Sequence, residues 1–431
     1  MIRAALHHFV AVTGIVALAA YTCVYGLGLA HPPIRSDGRS YYVYLPAWLL
    51  DGDPTFDTAM QDCCGGQLGP GAFAFSRWPE TGRWINAVPM GVAVQSLPFF
   101  FAADALTRWS NLPRDGFSLY YQHLAGLAGL VYFLAGLAVL RRLLMRHFSD
   151  GVALATLVSI TFGTNLFHYG VFDSTFSHAY SFFLITTLVA LTERWWADPA
   201  WTVSLALSVV AALVPLTRHP NVIFLAIVPL YGVVRRSDVS DRLRQLWQRR
   251  RLLTAMAGVM LLCALPQLTI YKLATGHWIV NAYADGTFHF MSPHLLEVLF
   301  SVQKGLFFWS PVLIFSVAGF FVARGWERNL LVATVLVLAL DTYLIASWHV
   351  WWFGGSYGHR GFTDSLGLMA ISLAAFFAWT STQPRVRPFV SGAASAAVAL
   401  SVVQMLQYWI GVIPIDSTTW QQYRDLFLTF R

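Results

Sequence analysis

The sequence predicts an all-α polytopic membrane protein, and three observations carry that prediction. Hydrophobic residues make up 57% of the 431-residue chain and charged residues only 11%, less than half of the roughly 25% usual in soluble domains. Apolar runs of roughly 16 to 25 residues, the length a spanning helix requires, recur from end to end. The 17 Trp and 17 Tyr suit the two interfacial belts of such a chain, and mean hydropathy is +0.56.

Spans are expected near 9–30, 117–140, 152–171, 176–194, 201–217, 220–235, 252–273, 304–323, 329–347, 361–380 and 388–411. The first is long enough to cross and reads as a retained helix, not a cleaved leader. A further apolar stretch at 85–107, "INAVPMGVAVQSLPFFFAADAL", holds Pro89 and Pro98, which break helical hydrogen bonding and favour a segment lying along the membrane surface or re-entering it. Charge sets the orientation. The loop "RRSDVSDRLRQLWQRRR" at 235–251 is the strongest basic cluster, "RRLLMRH" at 141–147 the next, and the N-terminus "MIRAALHH" is basic too; all three belong on the cytoplasmic side. Alternation from them requires that 85–107 does not cross. The expected architecture is a bundle of about eleven transmembrane helices, N-terminus inside and C-terminus outside. A long first extracytoplasmic loop, 31–116, carries juxtamembrane helices, and a second large loop spans 271–303. Without repeats, inverted halves or a separate soluble domain, residues 1–431 read as one membrane-embedded unit.

The formal charge of +7 reflects these short basic loops and does not point to nucleic acid. Cys23 and Cys263 sit in apolar runs as small hydrophobes, and the adjacent Cys63 and Cys64 read as free or incidental.

With this topology the polar segments gather on the outer face: "RSDGRSYYVYLPAWLLDGDPTF" (35–56), "GTNLFHYGVFDSTFSHAY" (163–180), "TRHPN" (217–221), "YKLATGHWIVNAYADGTFHFMSPH" (271–294), "QKGLFFWSP" (303–311) and "SWHVWWFGGSYGHR" (347–360). Arg218, Lys272, Lys304 and Arg360 ring the outer helix ends in this reading. Cations beside a carboxylate are what a phosphate-bearing lipid and a hydroxyl acceptor need: the cations neutralise phosphate, the carboxylate removes a proton. Each residue also has a plainer role. Lys and Arg at helix ends snorkel, and the Trp and Tyr run at 348–357 forms an interfacial belt as readily as a sugar platform. His168, His178, His277, His289 and His359 lack tight metal-ligand spacing. Asp51-Gly52-Asp53 is a weak metal pattern that also reads as a helix stop and turn. Asp37, at the water boundary after the first helix, reads as a base and as the N-cap of a helix starting near Arg39, and the two roles do not exclude each other.

The ordered set Asp37, Tyr41, Leu45, Leu49 and Gly52-Asp53, followed by the proline-containing 85–107 segment, resembles the GT-C superfamily of membrane glycosyltransferases. The likeness is to its protein O-mannosyltransferase and aminoarabinose-transferase-like branch, bacterial members in particular. The segments "FGTNLFHY", "PLTRHPN", "YKLATGHW", "VLFSVQKGLFFWSP" and "WWFGGSYGHR" extend it along most of the chain. One departure is Gly38, where the branch often has Glu after the Asp. Another is the absence of a C-terminal extramembrane domain that some relatives carry. The resemblance implies a GT-C-like bundle and inverting transfer of a sugar from a polyprenyl-phosphate lipid to an envelope acceptor (lipid, glycan or protein). Transfer would occur outside the bacterial inner membrane, with Asp37 as base and no metal or cofactor. Arg360 would meet the departing phosphate, with Lys304 or Arg218 as alternatives. Lys272, Tyr41, His219, Asp285, His289 and His359 complete the expected substrate contacts. The rival class is a multi-pass transporter or flippase for an envelope lipid, which should show paired broken helices or repeats; an inactive scaffold of an envelope assembly complex is the third.

Overall fold

A computed structural model of the protein describes residues 2–28, 32–64, 74–283 and 286–430, the last three residues of the second stretch by backbone alone. The chain opens with α1 (Ile2–Gly26), then two short helices, α2 (Ser36–Tyr42) and α3 (Tyr44–Leu49), and α4 (Asp57–Cys64). An antiparallel pair, β1 (Phe75–Arg77) with β2 (Trp84–Asn86), leads into α5 (Gly91–Arg108). There follow α6 (Leu119–His147), α7 (Asp150–Phe162), α8 (Leu166–Val171), α9 (Ser177–Ala197) and α10 (Trp201–Thr217). A 3-10 stretch, His219–Ala226, runs into α11 (Ile227–Leu230), and α12 (Arg236–Gln248) joins α13 (Arg250–Thr275). The last third holds α14 (Leu295–Phe300), α15 (Leu306–Trp309), α16 (Leu313–Val322), α17 (Arg328–Ser347), a 3-10 turn at Arg360–Ser365, α18 (Leu366–Ser381), α19 (Arg387–Trp409) and α20 (Trp420–Leu426).

Among the described residues, six helical segments are long and apolar enough to cross a membrane: α1, α6, α13, α17, the continuous Arg360–Ser381 stretch, and α19. Four more apolar stretches, α7, α10, 219–230 and α16, are shorter. Three expected spans are therefore not single α-helices. The run at 152–171 divides into α7 and α8 at Gly163, where a Cβ would lie 2.5 Å from the Ser159 carbonyl. The run at 304–323 breaks at Ser310-Pro311, since proline cannot donate the next helical hydrogen bond. The run at 220–235 is 3-10 as far as Ala226, with Pro220 at its start, and then forms only the short α11, which contains Pro229. At 85–107 only 91–108 is helical, packed on α2, α6 and α10 with Pro98 inside it.

Burial orders the bundle. The Arg360–Ser381 segment is its centre, with 94% of the residues in its most apolar 18-residue stretch buried, whereas in α13 that share is 17% and most of the apolar surface turns outward. A soluble protein would hide that surface; a hydrocarbon solvent accepts it. The first loop has its own core: Tyr42, Tyr44, Phe56, Phe75, Trp84 and Phe100 pack together with Ile270 of α13. This core fixes the polar 35–56 stretch on the bundle.

Candidate active site

The site begins with the short path from Arg35 into α2. Arg35 is extended (φ −144°) and Ser36 takes a left-handed φ of +45°, a conformation a non-glycine residue holds only when its surroundings impose it. Those surroundings are visible. The Arg35 guanidinium donates to Asp173 Oδ1 from Nη2 at 2.8 Å and from Nε at 3.2 Å, and lies 4.7 Å from the Phe172 ring centre. Asp173 Oδ2 meets His168 Nε2 at 2.9 Å, and His168 Nδ1 accepts the Trp409 indole N–H at 2.8 Å. Because Nδ1 is an acceptor, the proton sits on Nε2 and faces Asp173. Burial raises the Asp173 carboxyl, but the Arg35 charge and the His168 hydrogen bond outweigh it and hold it below the usual carboxylate range.

Asp37 lies in the first turn of α2, whose N-cap is Arg35, and no side chain caps that helix. The capping alternative is therefore replaced by an ion pair: Arg360 Nη1 donates to Asp37 Oδ2 at 2.6 Å across 323 residues of sequence. The two side chains are 16% and 17% exposed. The other carboxylate oxygen, Oδ1, is buried with no hydrogen-bond partner among the described residues. Gly38 explains its own identity, since a Cβ there would lie 2.1 Å from Thr175 Oγ1. That hydroxyl is spoken for, donating to the Pro33 carbonyl at 2.8 Å. A glutamate at 38 does not fit this backbone.

A second ionic group adjoins the first. Arg218 donates to Asp364 Oδ2 at 3.0 Å, Asn221 donates to the same oxygen at 3.0 Å, and His178 Nδ1 meets Oδ1 at 2.9 Å. Asp341 of α17 is buried close to Arg218 and Asp364, and its Oδ2 has no partner among the described residues. Arg218 also faces the ring of Phe353, 5.4 Å away, another residue with positive φ (+58°). The phenol of buried Tyr41 and that of Tyr283, a residue 43% exposed, lie within electrostatic reach of Asp37; loss of solvent around each phenol first, and that charge in addition, pushes both above their ordinary range. His359 is buried beside the Trp351 backbone, and burial drives its pKa down to about 3, so it is neutral and adds no cationic charge.

Each of the four cations of the expected ring has a partner in the structure. Arg360 and Arg218 are each matched by a carboxylate. Lys304, 1% exposed, gives its ammonium to the Ser356 and Ile415 carbonyls, the latter at 2.8 Å, and so clasps two loops together. Lys272 donates to the Gly276 carbonyl at the end of its own helix and lies over Trp278, a helix-capping role. His219 meets the Tyr271 hydroxyl at 3.1 Å. His289 is exposed and contacts Thr287 Oγ1 at 3.3 Å. Asp285 lies outside the described residues. Asp53 binds the backbone N–H groups of Thr55 and Thr58, each at 2.8 Å, and so closes the turn into α4. Among the described residues no group of three His, Cys, Asp or Glu side chains converges to hold a metal ion.

Sequence reasoning missed Arg35, Asp173, Asp364, Asp341 and Asn221 as members of these groups. A signal existed for Asp341 and Asp364: each is an acid inside an apolar run, where a charge is expensive and marks a site or a partner. Chemically, the centre offers a carboxylate with one oxygen tied to a cation and the other open, beside two phenols. Only one N–H of the Arg360 guanidinium is committed to that carboxylate, and the group has five. The chain matches no protein-family model and no curated protein sequence, so the chemistry of this centre is read from its own geometry.

Proposed function

We propose that this protein is a membrane glycosyltransferase that moves a sugar from a polyprenyl-phosphate donor to a hydroxyl of an envelope acceptor. In this reading the eleven-span topology holds, α9 and the four shorter apolar stretches join the six long segments, and the centre faces the exterior of a bacterial inner membrane. The observation that carries the proposal is the 2.6 Å pair between Asp37 and Arg360, with the second Asp37 oxygen left open. A purely structural pair would be expected to satisfy both oxygens, because an unmet buried acceptor costs about 1–3 kcal/mol.

The pair sets an order of events. The donor phosphate, itself an anion, competes with Asp37 for Arg360, whose planar fork suits two parallel hydrogen bonds to phosphate oxygens. As the phosphate takes the guanidinium, Asp37 is released to accept the proton of the acceptor hydroxyl. The acceptor oxygen bonds to the anomeric carbon from the face opposite the leaving group. The bond from that carbon to the phosphate oxygen breaks, its electron pair leaves with the lipid phosphate, and Arg360 stabilises that charge. The sugar configuration inverts. Arg218 stays with Asp364 and shapes the wall on which Phe353 sits.

The test is release of free polyprenyl phosphate, followed by mass spectrometry, from purified protein in lipid discs supplied with polyprenyl-phosphate sugars and an envelope lipid extract. Release by the native chain and its loss in Asp37→Asn are expected. Movement of the intact labelled donor across vesicles without cleavage would support the transporter class instead.

A further inference from the structure

α12 makes an unusual surface on the side of the protein away from Asp37 in the proposed topology. None of its residues is buried, yet Val239, Leu243 and Trp247 recur at i, i+4 and i+8 and are 44%, 62% and 70% exposed. At 3.6 residues per turn these three form one apolar stripe. Arg236 and Arg244, both exposed, lie on or beside that stripe, whereas Asp238 and Asp241 fall on the far side of the helix.

The helix is held to the body by a different face. The Arg242 guanidinium stands 3.5 Å from the Trp196 ring centre and donates to the Tyr231 carbonyl; Arg249 lies 4.9 Å from both Trp195 and Trp196. These contacts point roughly a quarter-turn away from the stripe, so docking to the protein leaves the stripe uncovered. Connectivity says what lies beneath it. Arg249 is at once the C-cap of α12 and the N-cap of α13, and α13 is one of the described segments long and apolar enough to cross a membrane. The stripe therefore starts at the surface that α13 enters.

We propose that α12 is an interfacial helix that docks on anionic lipid headgroups, with Val239, Leu243 and Trp247 dipping into the headgroup layer and Arg236 and Arg244 meeting negative charge. The chemistry matches on both counts: apolar area gives partition into the interface, and adjacent arginines select an anionic surface. Acids on the opposite face keep the outer side in water. This inference is independent of the chemistry at Asp37.

The test uses the full chain in vesicles, with Cys23, Cys63, Cys64 and Cys263 replaced by Ala and an environment-sensitive fluorophore on Leu243→Cys. A label on Gln245→Cys, on the far face, is the control. In vesicles containing phosphatidylglycerol the label at 243 is expected to shift to the blue and resist an aqueous quencher, while the label at 245 stays in water. Raising salt, or making Arg236→Gln with Arg244→Gln, should reverse the shift, lowering the docked-to-free ratio about fivefold per arginine. Equal burial in pure phosphatidylcholine would overturn the anionic preference. A water-like signal at 243 in both lipids, or burial of both labels, would overturn the docking. Burial that grows with the protein-to-lipid ratio would assign the stripe to a second copy of the chain and equally overturn it.

Discussion

Asp37→Asn separates a structural ion pair from a catalytic one by magnitude. Asparagine keeps an oxygen able to accept the 2.6 Å hydrogen bond from Arg360, so the substitution removes charge and little else. A hydrogen bond to a charged group contributes about 1.5–3 kcal/mol and a neutral one about 0.5–1.5. With the partners 17% and 16% exposed, solvent takes part of that difference, and the loss of folding stability should be about 1 kcal/mol. Loss of a positioned base costs about 10²- to 10⁴-fold in turnover, equivalent to about 3–5 kcal/mol of barrier. The two effects differ enough to be read separately, as thermal midpoint in detergent and as rate of polyprenyl-phosphate release in lipid discs. A charge exchange, Asp37→Arg with Arg360→Asp, sharpens the comparison: it restores an ion pair but leaves the base on the wrong element. Stability should recover in part while transfer stays absent. Near-native turnover in Asp37→Asn, or transfer restored by the exchange, would refute the assignment of Asp37 as base.

Other outcomes follow from the same geometry. Arg360→Lys should keep partial transfer and weaken binding of a polyprenyl-phosphate analogue, and Arg360→Ala should lose nearly all of both, because a point charge cannot reproduce the planar fork; unchanged analogue affinity in the Ala variant would make Arg360 an anchor. Gly38→Ala should destabilise by about 1–3 kcal/mol through overpacking, and Thr175→Gly in the same chain should recover part of it, because both Thr175 atoms within 3.0 Å of the added Cβ disappear. Lys304→Met should lower thermal stability more than donor affinity, since its ammonium holds the Ser356 and Ile415 carbonyls; the reverse pattern would return Lys304 to the phosphate site. Asp104 is held down to about 2, first by its hydrogen bond with Arg114 and then by Tyr121 and Arg108. Its folded value lies below the unfolded value of about 3.9, so its stabilisation is complete above that value and fades as pH falls toward 2. Hydrogen exchange across 104–121 should quicken over that window, and Asp104→Asn should already be fast at neutral pH.

The helices were legible because hydrophobic length is a local property: α1, α6, α13, α17 and α19 lie close to the apolar runs that announce them. The breaks were less so. Gly163 and Pro311 are visible as letters, but whether a chain bends there depends on what packs against it, as Val312 and Val398 do at Gly163. At the site, Asp37 and Arg360 were legible as charges beside membrane helices, while their pairing was not, because it spans 323 residues. Lys272 and Lys304 were likewise legible as charges, while the carbonyls they bind were not. A lysine that satisfies carbonyls and one that waits for an anion look alike until their acceptors are known. Asp364 hid within the run at 361–380, where only its partners Arg218, His178 and Asn221 explain how an acid is tolerated.

The path from Arg35 through Asp173 and His168 to Trp409 joins an early part of the chain to a late one. Time during synthesis is the consequence. At about 5–20 residues per second, the 323 residues between Asp37 and Arg360 take about 16–65 s to make, and Trp409 follows later still. Throughout that interval the carboxylate is in place without its guanidinium, and Arg35 lacks the indole that fixes the far end of its support. A nascent chain arrested before α19 would therefore hold most of the bundle's helices but an unfinished centre. In the proposed reaction, transfer would begin only when the last long helix arrives.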